Sequence, residues 1–146
     1  MSFTTTDKSP KQPYDFECYL HPTLLCVELK ATNLSSVSFE REENQLNKKM
    51  IHYHQIKGLL KSSQYCGVCA GFLIDFKTSG NTYYLPIDEF MKFFNSTDKQ
   101  SISENDIKEL KYISIDKKLL KTNYEYNIKE LFNNLNNNIK ECLVNG

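Results

Sequence analysis

Apolar positions along the chain fall into short periods that can be read as elements. Residues 14–19 (Tyr-Asp-Phe-Glu-Cys-Tyr) and 24–30 (Leu-Leu-Cys-Val-Glu-Leu-Lys) alternate on either side of Leu20-His21-Pro22-Thr23, which predicts a β-hairpin with a short loop. The alternation places Phe16 and Cys18 on one face with Leu25, Val27 and Leu29, and this face is expected to meet the core. Asp15, Glu17, Cys26, Glu28 and Lys30 share the other face. Residues 31–47, rich in Ser, Asn and Glu, read as a long loop with a short strand at 37–39. Ile51, Ile56, Leu59 and Leu60 have helix-like spacings and predict a helix over 48–60.

The run at 68–76 is almost continuously apolar, the pattern of a strand buried on both faces at the centre of a sheet. Ser79-Gly80-Asn81 turns the chain into an antiparallel partner over 82–85. Pro86 introduces an amphipathic helix in which Ile87, Phe90, Met91 and Phe94 form one stripe. Ser103, followed by Glu104 and Asp106, reads as the cap and acidic first turn of a short helix to Lys111, with an edge strand over 112–115 behind it. Ile128, Leu131, Phe132, Leu135, Ile139 and Leu143 predict a final helix over 124–144, weakened by the asparagines in its middle.

Composition narrows the class. The 146 residues are 40% apolar and 25% charged, enough for one domain over 13–146 behind a polar lead-in at 1–12. No run approaches the roughly 18 consecutive apolar residues of a membrane span, and residues 1–10 lack a signal-peptide centre, so a cytoplasmic location is expected. Five cysteines without framework spacing argue for reduced thiols. Eighteen basic and eighteen acidic residues cancel, which removes any general attraction to nucleic acid and leaves that task to a local patch.

The hairpin itself offers the strongest candidate chemistry. If its loop is centred between His21 and Pro22, Asp15 stands opposite Glu28. Directly opposed side chains have Cβ atoms about 5 Å apart, and like charges so placed are destabilising unless compensated. A divalent cation would compensate, and Lys30, two residues along the same face, would add an amine to a hard-ligand site. The plainer alternative is an acid, acid and lysine on the solvent face of a hairpin. Cys66 and Cys69 match C-x-x-C, but a zinc site would want a second pair and a redox site a helix start, so they read as core packing. His52 and His54, two apart on the expected helix, cannot share one ion. Tyr83, Tyr84, Phe90, Phe93 and Phe94 could stack bases, although such clusters are more often core or interface.

Pro13-Tyr14-Asp15, a gap, and Glu28-Leu29-Lys30 together resemble the PD-(D/E)xK nuclease signature. His54-Gln55-Ile56 on the next helix, Gly67 to Ile74 as the next strand, Tyr83-Tyr84-Leu85 in its partner and Lys99-Gln100-Ser101-Ile102 before an acidic helix extend the likeness. In this order they resemble the RecU family of Holliday junction resolvases from about Lys11 to Leu135. The resemblance implies an α/β restriction-endonuclease-like fold, a mixed β-sheet flanked by helices. It also implies a homodimer that nicks four-way DNA junctions with Mg²⁺, for which Mn²⁺ can substitute. Asp15 and Glu28 match the metal-binding acids, Lys30 the catalytic lysine and Gln55 the glutamine beside the site, with the Leu29 backbone carbonyl as a further ligand. Fourteen residues precede Asp15, so the family's N-terminal acidic helix and protruding stalk are expected to be missing. Lys48, Lys49, Lys57 and Lys61 form the basic cluster nearest in sequence and are the candidates for phosphate contacts, the alternative being a solvated helix face. A non-catalytic DNA- or protein-binding descendant of the same fold is the rival.

Overall fold

A tight reversal at His21-Pro22 joins β1 (Phe16–Leu20) to β2 (Thr23–Thr32), and the two pair antiparallel with Phe16 opposite Val27 and Glu17 opposite Cys26. This is the register expected from the turn. The computed structural model describes residues 14–115, 117–119, 124–126 and 135. The expected lead-in at 1–12 lies outside them.

After β2 the chain crosses over through β3 (Ser36–Ser38) and α1 (Tyr53–Ser63) into β4 (Val68–Phe76), which lies parallel to β2 with Glu28 beside Phe72. β5 (Asn81–Pro86) returns antiparallel to β4, and β7 (Ile113–Ser114) closes the far edge. The order β1-β2-β4-β5-β7 puts the apolar run of β4 in the centre of a mixed five-stranded sheet. α2 (Ile87–Ser96) follows β5 directly, its dipole favoured by Asp88 and Glu89 in the first turn. β6 (Ser101–Ser103) pairs with β3 in a small ribbon that sets Val37 against Ile102. α3 (Glu104–Lys108) starts from Ser103, whose hydroxyl accepts the Asp106 N–H while the Asp106 carboxylate accepts the Ser103 N–H. This mixed sheet flanked by helices is a restriction-endonuclease-like architecture.

Two cores cover the two faces of the sheet. On the face packed against α1 and α2, Cys26, Phe72, Ile74, Leu85, Ile56, Leu59, Phe90 and Phe39 are all buried. Leu25, Val27, Cys18, Leu73, Tyr84, Ile115 and Leu135 fill the other. The expected division of the hairpin into one core face and one outer face is therefore corrected. As an inner strand, β2 buries Cys26 and Glu28 as well as Leu25 and Val27, whereas Leu29, near the open end, is 37% exposed. Tyr83, Tyr84, Phe90 and Phe93 are buried and Phe94 is partly buried, so these rings serve packing, with Phe39 and Phe90 edge to face at 5.2 Å.

Three further expectations change. The helix expected from 48 begins at Tyr53, because Ile51 bridges Phe39 in parallel pairing and belongs to the ribbon. Cys66 is exposed in the turn before β4, not in the core, and Cys69 is half-buried against the second core. Residues 124–126, expected as the start of a helix, form β9 (Tyr124–Tyr126) against β8 (Lys117–Leu119). Leu135 is helical and buried, and the remainder of that expected helix lies outside the described residues.

Arg41, the one arginine of the sequence, locks the helical layer to the ribbon. Its guanidinium donates to the carbonyls of Phe94, Thr97 and Lys99 at 2.6–3.0 Å and lies over the Phe94 ring at 4.4 Å.

Two substitutions should move stability in opposite directions in a denaturant melt. A Cβ at Gly71 would lie 2.4 Å from the Leu85 carbonyl oxygen, so Gly71→Ala should cost about 1–3 kcal/mol or more. Among the described residues the buried Tyr84 hydroxyl has no hydrogen-bond partner, so Tyr84→Phe should stabilise by about 1 kcal/mol, and a loss there would mean that the hydroxyl is satisfied in solution.

Candidate functional site

Glu28 is the centre of the site because three elements bring polar groups to a carboxyl that the sheet has buried. It points from β2 toward the α1 side and is only 2% exposed. A buried carboxylate is costly unless charges and hydrogen bonds compensate it. Lys30, two residues on along the same strand, places its ammonium 3.2 Å from Glu28 Oε1. Gln55, in the first turn of α1, donates from Nε2 to the same oxygen at 2.6 Å. Asp15, just before β1, accepts the Leu29 N–H at 2.9 Å through Oδ2 and so extends the hairpin beyond its last strand pair. This holds the Asp15 carboxyl within hydrogen-bonding reach of Glu28.

These neighbours act on Glu28 in opposite senses. Burial raises its pKa most, the negative charge of Asp15 raises it further, and the Lys30 ammonium lowers it. The net effect pushes the carboxyl up to about 7. The pair thus shares a deficit of positive charge that a proton or a cation can make good. Glu17, on the same side of β1, accepts a hydrogen bond from the Tyr14 hydroxyl.

The sequence-based set of Asp15, Glu28, Lys30 and Gln55 is therefore assembled in one place, with the Leu29 backbone between Glu28 and Lys30. The basic cluster is not uniform. Lys57 and Lys61 lie exposed on α1, but Lys57 is paired with Glu43 at 2.5 Å, and Lys48 and Lys49 precede the helix. His52 is the N-cap of α1 and not a helical residue, and its ring stacks on that of His54 at 5.5 Å.

Sequence reasoning missed Glu40. It is buried beside α1, where its carboxylate accepts the Tyr53 and Lys49 N–H groups and lies 3.0 Å from His52 Nδ1. The His52 contact and these N–H groups hold it down at about 2. No side-chain spacing could have exposed this, because two of its three partners are backbone groups.

Comparison with known proteins places the chain among relatives. A curated relative, the SPbeta prophage-derived uncharacterized protein YotM of Bacillus subtilis (strain 168), is 33% identical over 91 residues. The match takes in 62% of this chain and 43% of that protein, so it spans less than half the length of the relative. The RecU family, described as Recombination protein U, matches over residues 15–133, a span that contains all four clustered side chains, α1 and every strand of the main sheet. On that extent of agreement, the chain belongs to the RecU family.

Proposed function

We propose that this chain is a divalent-cation-dependent DNA endonuclease of the junction-resolvase type, acting in the cytoplasm as a homodimer that hydrolyses phosphodiester bonds in branched DNA. The observation that carries the reading is the convergence of Asp15, Lys30 and Gln55 on the buried carboxyl of Glu28. Family membership supports the substrate class.

The donor set fits a hard cation, since Asp15 and Glu28 offer carboxylate oxygens side by side, and burial, with the Asp15 charge beside it, already raises the pKa of Glu28 to about 7. Asp15, Glu28 and the Leu29 backbone carbonyl would hold Mg²⁺ or Mn²⁺. Such an ion, when bound, makes water a better nucleophile at neutral pH and offsets charge that develops on the phosphate. The protein groups do the rest. Lys30, fixed by Glu28, orients the attacking water or steadies the negative charge growing on the phosphate oxygens. Gln55 keeps the Glu28 carboxyl in a single orientation by a short hydrogen bond. Lys48, Lys49 and Lys61 are the amines for backbone phosphates, and Lys57 joins them if DNA displaces Glu43.

A second reading, a non-catalytic DNA- or protein-binding descendant of the fold, is favoured by one observation. Among the described residues, no third His, Cys, Asp or Glu joins the two acids in a metal-binding group.

Incubation of the full chain with branched DNA and Mg²⁺ or Mn²⁺ should give nicked strands. Asp15→Asn and Lys30→Ala should lower the rate by about a hundredfold or more while the melting curves stay cooperative. Equal nicking by all three proteins would remove these residues from the chemistry, and no nicking by wild type would select the binding module.

The raised pKa of Glu28 sets a pH dependence. A carboxyl whose folded pKa lies near 7 rather than 4.5 contributes stability that is fully present below pH 4.5 and is lost as pH rises through about 7. Ion-free protein should therefore melt at lower temperature at pH 8 than at pH 5 as far as this group contributes, and Glu28→Gln should flatten that slope. A cation competes with the proton, so the rise in midpoint with millimolar Mn²⁺ should grow across the same interval and shrink in Glu28→Gln. A midpoint indifferent to Mn²⁺ at pH 8 would count against the metal site.

A further inference from the structure

Glu40 connects the ribbon to the functional side chains through a chain of short contacts. It follows the bridge between Phe39 and Ile51, and its own N–H donates to the Ile51 carbonyl at 2.9 Å, which fixes its backbone beside the approach to α1. Its Oε1 accepts the N–H of Tyr53, the first residue of α1, at 3.0 Å. Its Oε2 accepts the Lys49 N–H at 3.3 Å and meets His52 Nδ1 at 3.0 Å. The first turn of α1 carries no acidic residue of its own. Glu40 thus supplies from outside the helix both an acceptor for an otherwise unpaired N–H and a negative charge at the positive end of the dipole.

His52, gripped in this way, in turn orients Gln55. The His52 backbone N–H donates to Gln55 Oε1 at 2.8 Å, and Gln55 Nε2 donates to Glu28 Oε1 at 2.6 Å. A glutamine amide is one rigid plane with an acceptor at one end and donors at the other, so tying down the oxygen aims the nitrogen. Without the tie, the side chain has free rotamers, and the donor spends less time on Glu28.

We propose that Glu40 is a positioning residue for the Glu28 centre, fixing the plane of the Gln55 amide by way of His52 and the first turn of α1. The role is indirect, since Glu40 touches neither Glu28 nor Lys30 in this arrangement. Its consequence for turnover rests on the nuclease reading above, whereas its consequence for Gln55 does not.

The experiment separates the two. In Glu40→Gln, which keeps size but loses charge and an acceptor, the Gln55 side-chain amide resonances of ¹⁵N-labelled full chain should move toward free-glutamine values. In the same variant kcat for branched DNA should fall about tenfold to a hundredfold, with KM little changed. Combined with Gln55→Ala, the substitution should cost almost nothing more, since both remove one linked interaction. Glu40→Asp retains the helix-end charge and draws the oxygens back by one methylene. It should shift the same resonances, and it provides the measurement if Glu40→Gln does not fold. Unmoved Gln55 resonances in a folded variant, or additive losses in the double variant, would overturn the proposal. Absence of cleavage by wild type would overturn the nuclease reading alone, because the resonances would still report on Glu40.

Discussion

A carboxyl group inside a protein has to be compensated where it stands, and in this fold the charge balance around Glu28 is set by three separate elements. β2 carries the acid and, two residues later, the amine that answers it. The start of β1 brings a second acid, which raises the demand for positive charge, and α1 brings an amide that fixes direction. Remove the parallel pairing of β2 with β4, and Glu28 has no reason to be buried beside Phe72 under the helical layer. Remove the antiparallel pairing of β1 with β2, and Asp15 has no route to the Leu29 N–H. The mixed sheet is thus a device for forcing ionisable groups together at its open end, against their own repulsion.

The arrangement also explains why both faces of β2 must be covered. On a two-sided exposed hairpin, water would solvate Glu28 and its pKa would stay near the ordinary value. The aromatic layer of Phe39, Phe72 and Phe90 excludes that water on one side, and Leu25, Val27 and Leu73 support the strand from the other. Core packing and site electrostatics are here one problem. A change that loosens the helical layer would relax the carboxyl without touching any charged group.

Much of this was legible in the chain because it rested on local rules. His21-Pro22 fixes the reversal, and a fixed reversal fixes register, so the opposition of Asp15 to Glu28 followed from position alone. The unbroken apolar run of β4 and the stripe of α2 were equally plain. What escaped was non-local. Ile51 has the spacing of a helical residue but is claimed by Phe39 across a bridge. Tyr124 to Tyr126 pair with 117–119, a contact that overrides the helical periodicity read downstream. Cys26 looked like an outward position only because a single hairpin was considered without the layer above it. Glu40 was hidden for a different reason: its value lies in backbone N–H groups, which every sequence contains and no sequence advertises.

The clamp formed by Arg41 has a consequence for how this scaffold can vary. One planar cation answers the Phe94 and Thr97 carbonyls at the end of α2 and the Lys99 carbonyl just beyond it while its face rests on Phe94, and the residue beside it in sequence is Glu40. Two adjacent residues therefore bind opposite helix ends, the anion at the beginning of α1 and the cation at the end of α2, each matched to the polarity it meets. Exchange of the two charges would set each against the wrong pole. The dipeptide works as an oriented electrostatic coupler between neighbouring helices, and its order matters more than its composition.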